Sequence, residues 1–339
     1  MNTKNLICIF VVSLLACSQN IVAQDKVGTS SAQFLQIPVG GKAISMGGAF
    51  TAVSDDPAAL YWNPGAISRI GKNCAYVSNT NWLVGSNHVW IGAQVMVTGH
   101  DAIGISLNNL DYGASEKVTT VEQSDGTGEY WEAQDVAIAL TYARNITDRF
   151  SIGGSIKYIS EEIWHETSSQ FALDLGLLFI TQFNGLRIGA SMRNFGGELK
   201  MEGRDLMKRI DLDPESEGNN ETIVANLKTD EWPIPLTFSV GAAMPIINSK
   251  MLKLTIAADA VRPTDNSETI NVGGELFLYN LLSMRAGYQT LFRDDSEQGL
   301  TFGMGLKIPV PYADIIVDYS YQQFGILGDV QTTALSIGF

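Results

Sequence analysis

The chain has 339 residues, with 36 acidic against 22 basic side chains and a net charge of −14. Charged residues make up 17%, below the roughly 25% of a typical soluble domain, whereas the apolar share of 45% is ordinary and glycine is plentiful at 33. The acidic balance excludes a nucleic-acid partner, which needs clustered Lys and Arg, and the spread of apolar residues excludes a disordered chain.

Cysteine and histidine are in short supply. Cys8, Cys17 and Cys74, with His88, His100 and His165, are too few for a disulfide or zinc framework. At the start, Lys4 precedes an apolar run from Leu6 to Ala16, and a polar stretch leads to Val22-Ala23-Gln24. This pattern predicts export by a signal peptide over 1–24, cut after Ala23 or Gln24. A second reading stands beside it: Leu14-Leu15-Ala16-Cys17 resembles the lipobox of bacterial lipoproteins, in which Cys17 carries lipid.

Residues 25–70 fit no spanning strand and form an N-terminal plug segment. Asp55-Asp56-Pro57 before Ala58 to Trp62 predicts a short helix, with Asp56 as N-cap and Pro57 at its first position. Asn63-Pro64-Gly65 stops it, because a residue before proline avoids the helical region and glycine permits a turn. Upstream, Gly40-Gly41 and Gly47-Gly48 flank Met46 in an apolar stretch expected to be flexible. No Gly-Lys-Ser/Thr follows, so a phosphate-cradling loop is not expected.

Past this point period-two alternation runs to the last residue. In 298–308, Leu300, Phe302, Met304, Leu306 and Ile308 share one face and Thr301, Gly303, Gly305 and Lys307 the other. The pattern predicts fourteen strands, near 73–83, 87–98, 101–112, 130–144, 149–163, 168–180, 185–199, 231–246, 251–262, 267–279, 281–292, 298–308, 312–323 and 330–339. Links after odd-numbered strands are long (113–129, 200–230) or strongly charged (161–166, 293–297), whereas links after even-numbered strands are tight. Long loops on one side and short turns on the other mark a transmembrane barrel over 71–339. It must close, because open sheet edges leave backbone groups unpaired in lipid. A soluble propeller or double sandwich shares the alternation but not the one-sided loops.

Charge and aromatic residues divide the same way. The four loops carry −3, −3, −3 and −2, hence −11 of the −14. The strand charges Lys157, Asp174, Arg187, Arg193, Lys253, Asp259, Glu275 and Arg285 fall on the polar, inward face. Trp82, Trp90, Trp131, Trp164 and Trp232 lie near the long-loop ends, and Tyr142, Phe150, Phe183, Tyr279, Tyr312 and Phe339 near the other rim. Two aromatic girdles at the membrane interface are therefore expected. The ending Leu335, Ile337, Phe339 resembles the signal read by the outer-membrane insertion machinery. The expected setting is a bacterial outer membrane, with lipid, lipopolysaccharide and that machinery as partners.

The run Gly41 to Val53, followed by Asp55 to Gly65, resembles the N-terminal signature of the PorV/PorQ family. That family is similar to the FadL type of outer-membrane transporter. The resemblance implies a fourteen-stranded barrel with an N-terminal plug, as the strand count does independently. Gly65 stands where many relatives have alanine. In the third strand Ile103, Ile105 and Leu107 share a face but Leu110 lies on the other, beside Asn108, Asn109 and Asp111. A slip of this kind points to a bulge or bend. In FadL-like proteins a kink there opens the wall sideways, making Asn108, Asn109 and Leu110 a candidate lateral opening. The competing reading is that these polar residues mark the strand's emergence into loop 113–129.

No catalytic residue, cofactor or metal is expected. Catalysis needs a nucleophile and base together, and the three histidines are scattered. The acidic runs Asp211, Asp213, Glu215, Glu217 and Asp294, Asp295, Glu297 read as solvated loop in preference to a Ca²⁺ site. Two functions remain in competition. The first is binding or passing small hydrophobic or amphipathic molecules across the outer membrane. The second, implied by the family resemblance, is an accessory of the type IX secretion system that contacts cargo through loops 113–129 and 200–230. A purely structural barrel is a third.

Overall fold

The computed structural model describes residues 27–211, 213, 215, 222–293 and 296–339, so the signal peptide and Cys17 lie outside the described residues. The strands follow the alternating segments: β1 (Cys74–Asn81), β2 (Asn87–Met96), β3 (Asp101–Asp111), β4 (Ala133–Asn145), β5 (Phe150–Ile163), β6 (Glu166–Ile180) and β7 (Arg187–Gly196), then β8 (Thr237–Asn248), β9 (Leu252–Pro263), β10 (Thr269–Leu278), β11 (Leu282–Leu291), β12 (Leu300–Val310), β13 (Ala313–Gln323) and β14 (Asp329–Gly338). Each pairs antiparallel with the next. β14 returns to β1, from Cys74↔Gly338 to Asn81↔Gln331, and closes a fourteen-stranded transmembrane barrel.

The wall obeys the pleat. Ile103, Ile105, Leu140, Ile156, Leu173 and Leu175 point outward and are exposed, as lipid contact requires, while Ser78, Thr141, Ser155, Asp174 and Thr301 point inward and are buried. Short strands at 116–117 with 130–131, 198–200 with 231–233 and 207–210 with 223–226 build up the long-loop side. One link departs from expectation. Residues 161–163 continue β5 and Glu166 begins β6, so the charged loop is a two-residue turn, Trp164-His165. Glu161 then donates nothing to a loop surface; its Oε1 accepts the Ala32 amide of the interior segment at 2.8 Å.

The interior is filled by residues 29–70, which hold most of the large buried apolar side chains, among them Phe34, Ile44, Met46, Phe50 and Ile67. The wall makes room for them with glycine. A Cβ on Gly273 would run into the Met46 carbonyl, and one on Gly176 into the Asn63 amide oxygen. Gly153, Gly189, Gly287 and Gly303 meet the same segment around the circumference. The glycine content of the strands is thus explained by close approach of a second backbone.

Candidate functional site

The interior segment runs from the long-loop end to the short-turn end. At the first, Ser31 donates its amide to Pro233 O at 3.0 Å, and Ser30, Gln33 and Gln36 donate to Asp265 at 2.6, 2.7 and 2.9 Å. At the second, Arg69 donates to the carbonyls of Thr147 and Asp148 at 2.7 and 2.8 Å. Helix α1 (Gly41–Ser45) lies between and ends in a Schellman turn. In it Gly47 N reaches Ile44 O at 3.0 Å and Gly48 N reaches Ala43 O at 2.9 Å, with both glycines at positive φ. The stretch expected to be flexible is a fixed, buried turn.

Helix α2 (Ala59–Trp62) is a single turn, starting two residues later than Asp56 as N-cap would require. Asp56 Oδ1 accepts the Ala58 amide at 2.8 Å, so it caps the turn that leads in, which Pro57 occupies. Asn63 stops the helix in an extended conformation and ties three parts together. Its Nδ2 donates to Thr51 O at 2.7 Å and Leu177 O at 3.0 Å, and its Oδ1 accepts from Gly65 N at 3.0 Å. Pro64 then opens a 3-10 helix, Pro64–Arg69. Gly65 serves packing and not a left-handed turn, since a Cβ would stand 2.5 Å from Gly176 O.

An ion chain locks this plug to the wall. Lys42 pairs with Asp55 at 3.1 Å and with Glu275 of β10 at 2.9 Å. Arg285 of β11 pairs with Glu275 at 2.8 Å and with Asp318 of β13 at 2.6 Å. Burial works against the Lys42 charge, but Asp55 and Glu275 outweigh it and hold the ammonium above its ordinary range. Asp56, buried beside this chain, is pushed up to about 7 by burial, against the pull of Lys42. From the wall, Asp259 Oδ2 accepts the amides of Phe50 and Thr51, each at 2.8 Å.

Above the plug, towards the long loops, lies a cavity of about 880 Å³. Its floor is Tyr61 and Trp62, and aromatic or aliphatic walls come from Phe34, Ile37, Trp82, Leu110, Tyr112, Val261 and Phe324. Loop residues Val84, Asn266, Glu297 and Leu327 form its rim. Arg193 lies at the floor, its guanidinium carbon 4.7 Å from the centre of the Tyr61 ring and 5.2 Å from that of Trp62. On the outer surface an apolar groove of about 460 Å³ runs over Ala260 between Phe238, Val240, Ile270 and Phe292. Val261 and Thr269 line both the cavity and this groove. Beside them the β10–β11 ladder slips, with Gln289 and Thr290 opposite Asn271. Thr290 has φ 55°, unusual for a β-branched residue.

The bulge expected in β3 is absent. β3 pairs without a register shift from Ala102 to Asp111 on β2 and from Asp101 to Asp111 on β4. Leu110 breaks the apolar stripe because it faces inward, into the cluster with Phe34, Leu35 and Ile37. Asn108 also faces inward and accepts from His88 at 2.5 Å, and Asn109 accepts from Gln134 at 2.5 Å. The tryptophans separate similarly. Trp131 and Trp232 are exposed and Trp164 stacks on His165 at 4.2 Å. Trp82 instead packs edge-on against Phe324 at 5.3 Å as cavity wall, and Trp90 is buried inside against Tyr76, because both take inward positions of the pleat. Phe339 is clamped by paired backbone hydrogen bonds with Asn73, its ring exposed. Sequence reasoning did not single out Lys42, Tyr61, Trp62 or Arg193 as site residues.

No family model matches the chain, and no curated protein is detectably similar to it in sequence. Solved structures are similar in fold. The CymD monoaromatic hydrocarbon channel superposes with a TM-score of 0.57 at 12% identity, over 89% of this chain and 97% of its own. The toluene transporter TbuX of Ralstonia pickettii gives 0.53 at 13%, over 88% and 97%. The toluene transporter TodX of Pseudomonas putida gives 0.53 at 12%, over 88% and 97%. At identities this low, the superpositions show a shared barrel architecture alone.

Proposed function

We propose that this protein is a non-enzymatic outer-membrane barrel that passes small hydrophobic or amphipathic molecules. The observation that carries the reading is the cavity at the long-loop end, large enough for a small organic ligand, with an aromatic floor of Tyr61 and Trp62 and a lining that mixes apolar and polar side chains. The structures named above, hydrocarbon channels and toluene transporters, share its fold and lend support. They lend none to the secretion-accessory reading.

The seated plug restricts the route. A molecule on the Tyr61–Trp62 floor meets a segment fixed by close glycine contacts and a buried ion chain. The wall between β9 and β11 offers the alternative, because Val261 and Thr269 separate the cavity from an apolar groove facing lipid. The first test is binding. Titrating the purified, detergent-solubilised protein with toluene should quench fluorescence from Trp62 and Trp82 saturably, and a non-saturable response identical to that of free tryptophan would refute the reading.

A further inference from the structure

The floor of the cavity carries a buried cation, Arg193, beside the Tyr61 hydroxyl and ring. Arg193 is 7% exposed and, among the described residues, makes no ion pair. Its Nε and Nη1 are buried without a hydrogen-bond acceptor. A buried charge of this kind is costly unless something pairs with it. Stacking on the Tyr61 and Trp62 rings offsets part of that cost.

The local fold keeps Arg193 without an ion pair. β7 bulges here, with Arg193 and Asn194 together opposite Asp174 of β6, and Asn194 at φ 61°. The carboxylate that the bulge brings near is already used. Asp174 pairs with Lys157 at 3.0 Å and accepts the Asn194 amide at 2.7 Å. Asn194 in turn accepts from Lys157 at 2.6 Å and donates to Pro235 O at 3.2 Å. Asp259 faces Arg193 electrostatically, but its Oδ2 is committed to the plug amides and it lies beyond ion-pair distance. Bulges re-aim side chains next to functional sites, and this one delivers an unpaired guanidinium to the aromatic floor.

We infer that the cavity recognises a small aromatic acid, its ring on the Tyr61–Trp62 floor and its carboxylate on Arg193. The planar fork of arginine matches a carboxylate, which supplies the acceptor that the chain withholds. This inference rests on the transport reading above and names, among the small hydrophobic or amphipathic molecules it covers, aromatic carboxylates as the preferred class.

Three probes of one ring size separate the alternatives on the purified full-length protein: benzoate, benzyl alcohol and toluene. Wild type should bind benzoate at least ~10-fold more tightly than benzyl alcohol, the margin expected for a charge-assisted contact. Arg193→Gln should lose about that factor in the ratio of benzoate to benzyl alcohol affinity, and Arg193→Lys should restore part of it. The wild-type comparison keeps the inference testable if the variants fail to fold. Equal affinity for the three probes, or toluene bound and benzoate not, overturns the acid specificity and leaves the transport reading standing. Binding of none of the three overturns both.

Discussion

The carbonyl of Met46 rests against Gly273 where any other residue would place its Cβ. The plug is therefore part of the barrel's interior packing. Gly274, the next residue, faces the other side of the wall, and a Cβ there would meet Thr255 O at an ordinary 3.7 Å. Gly273→Ala should destabilise the folded protein by about 1–3 kcal/mol, the usual cost of overpacking, and Gly274→Ala should be near neutral. The temperature at which the folded band converts to the unfolded one on semi-native gels checks this. Equal shifts for the two variants would mean that the plug does not seat as described.

The plug also has a pH dependence of defined sign. Asp56 is raised from 3.8 to about 7 by burial. An acid with a raised folded pKa binds its proton more tightly in the folded state, so its contribution is full below the unfolded value and is lost as pH rises through about 7. At about 1.4 kcal/mol per unit, the loss is at most about 4 kcal/mol. Asp56→Asn keeps an oxygen for the Ala58 amide and removes the titration. The variant should match wild type near pH 4 and exceed it in stability near pH 8.5, measured by the same gel transition; a gap that closes as pH rises would contradict the assignment.

The seam between β9 and β10 should control passage. Val261 and Thr269 are direct cross-strand partners, within the span a disulfide can bridge. Oxidised Val261→Cys/Thr269→Cys should lower toluene uptake, and reduction should restore it. The equivalent pair on β2 and β3, Val89→Cys/Asn109→Cys, should have no effect in either state. The reverse pattern would return the opening to β3.

Two slips in alternation show what the sequence reveals and where it misleads. From Leu107 to Leu110 the apolar residue changes face, yet the ladder is unbroken, because Leu110 has an apolar partner inside the barrel in the plug. From Met192 to Phe195 the face changes in the same way, and there the strand does bulge. Period-two patterning records whether a side chain is apolar, not which side supplies the apolar neighbour. Once a plug fills the lumen, both faces of the wall accept apolar residues, which is also why Trp82 and Trp90 turned inward. The strands, the one-sided loops and the inward charges were legible because pleat and closure fix them locally. The pairing of Lys42 with Glu275, or the isolation of Arg193, depends on contacts across many strands that no local pattern encodes.

The central claim is passage of small hydrophobic molecules through the aromatic cavity. It is tested most directly by the initial rate of radiolabelled toluene uptake in a lipopolysaccharide-bearing host, comparing wild type, empty vector and Ser267→Trp, which fills the cavity from the β9–β10 loop. Wild type should raise the rate several-fold over vector and Ser267→Trp should abolish most of that gain at equal amounts of folded barrel. A wild-type rate equal to that of empty vector would contradict the account.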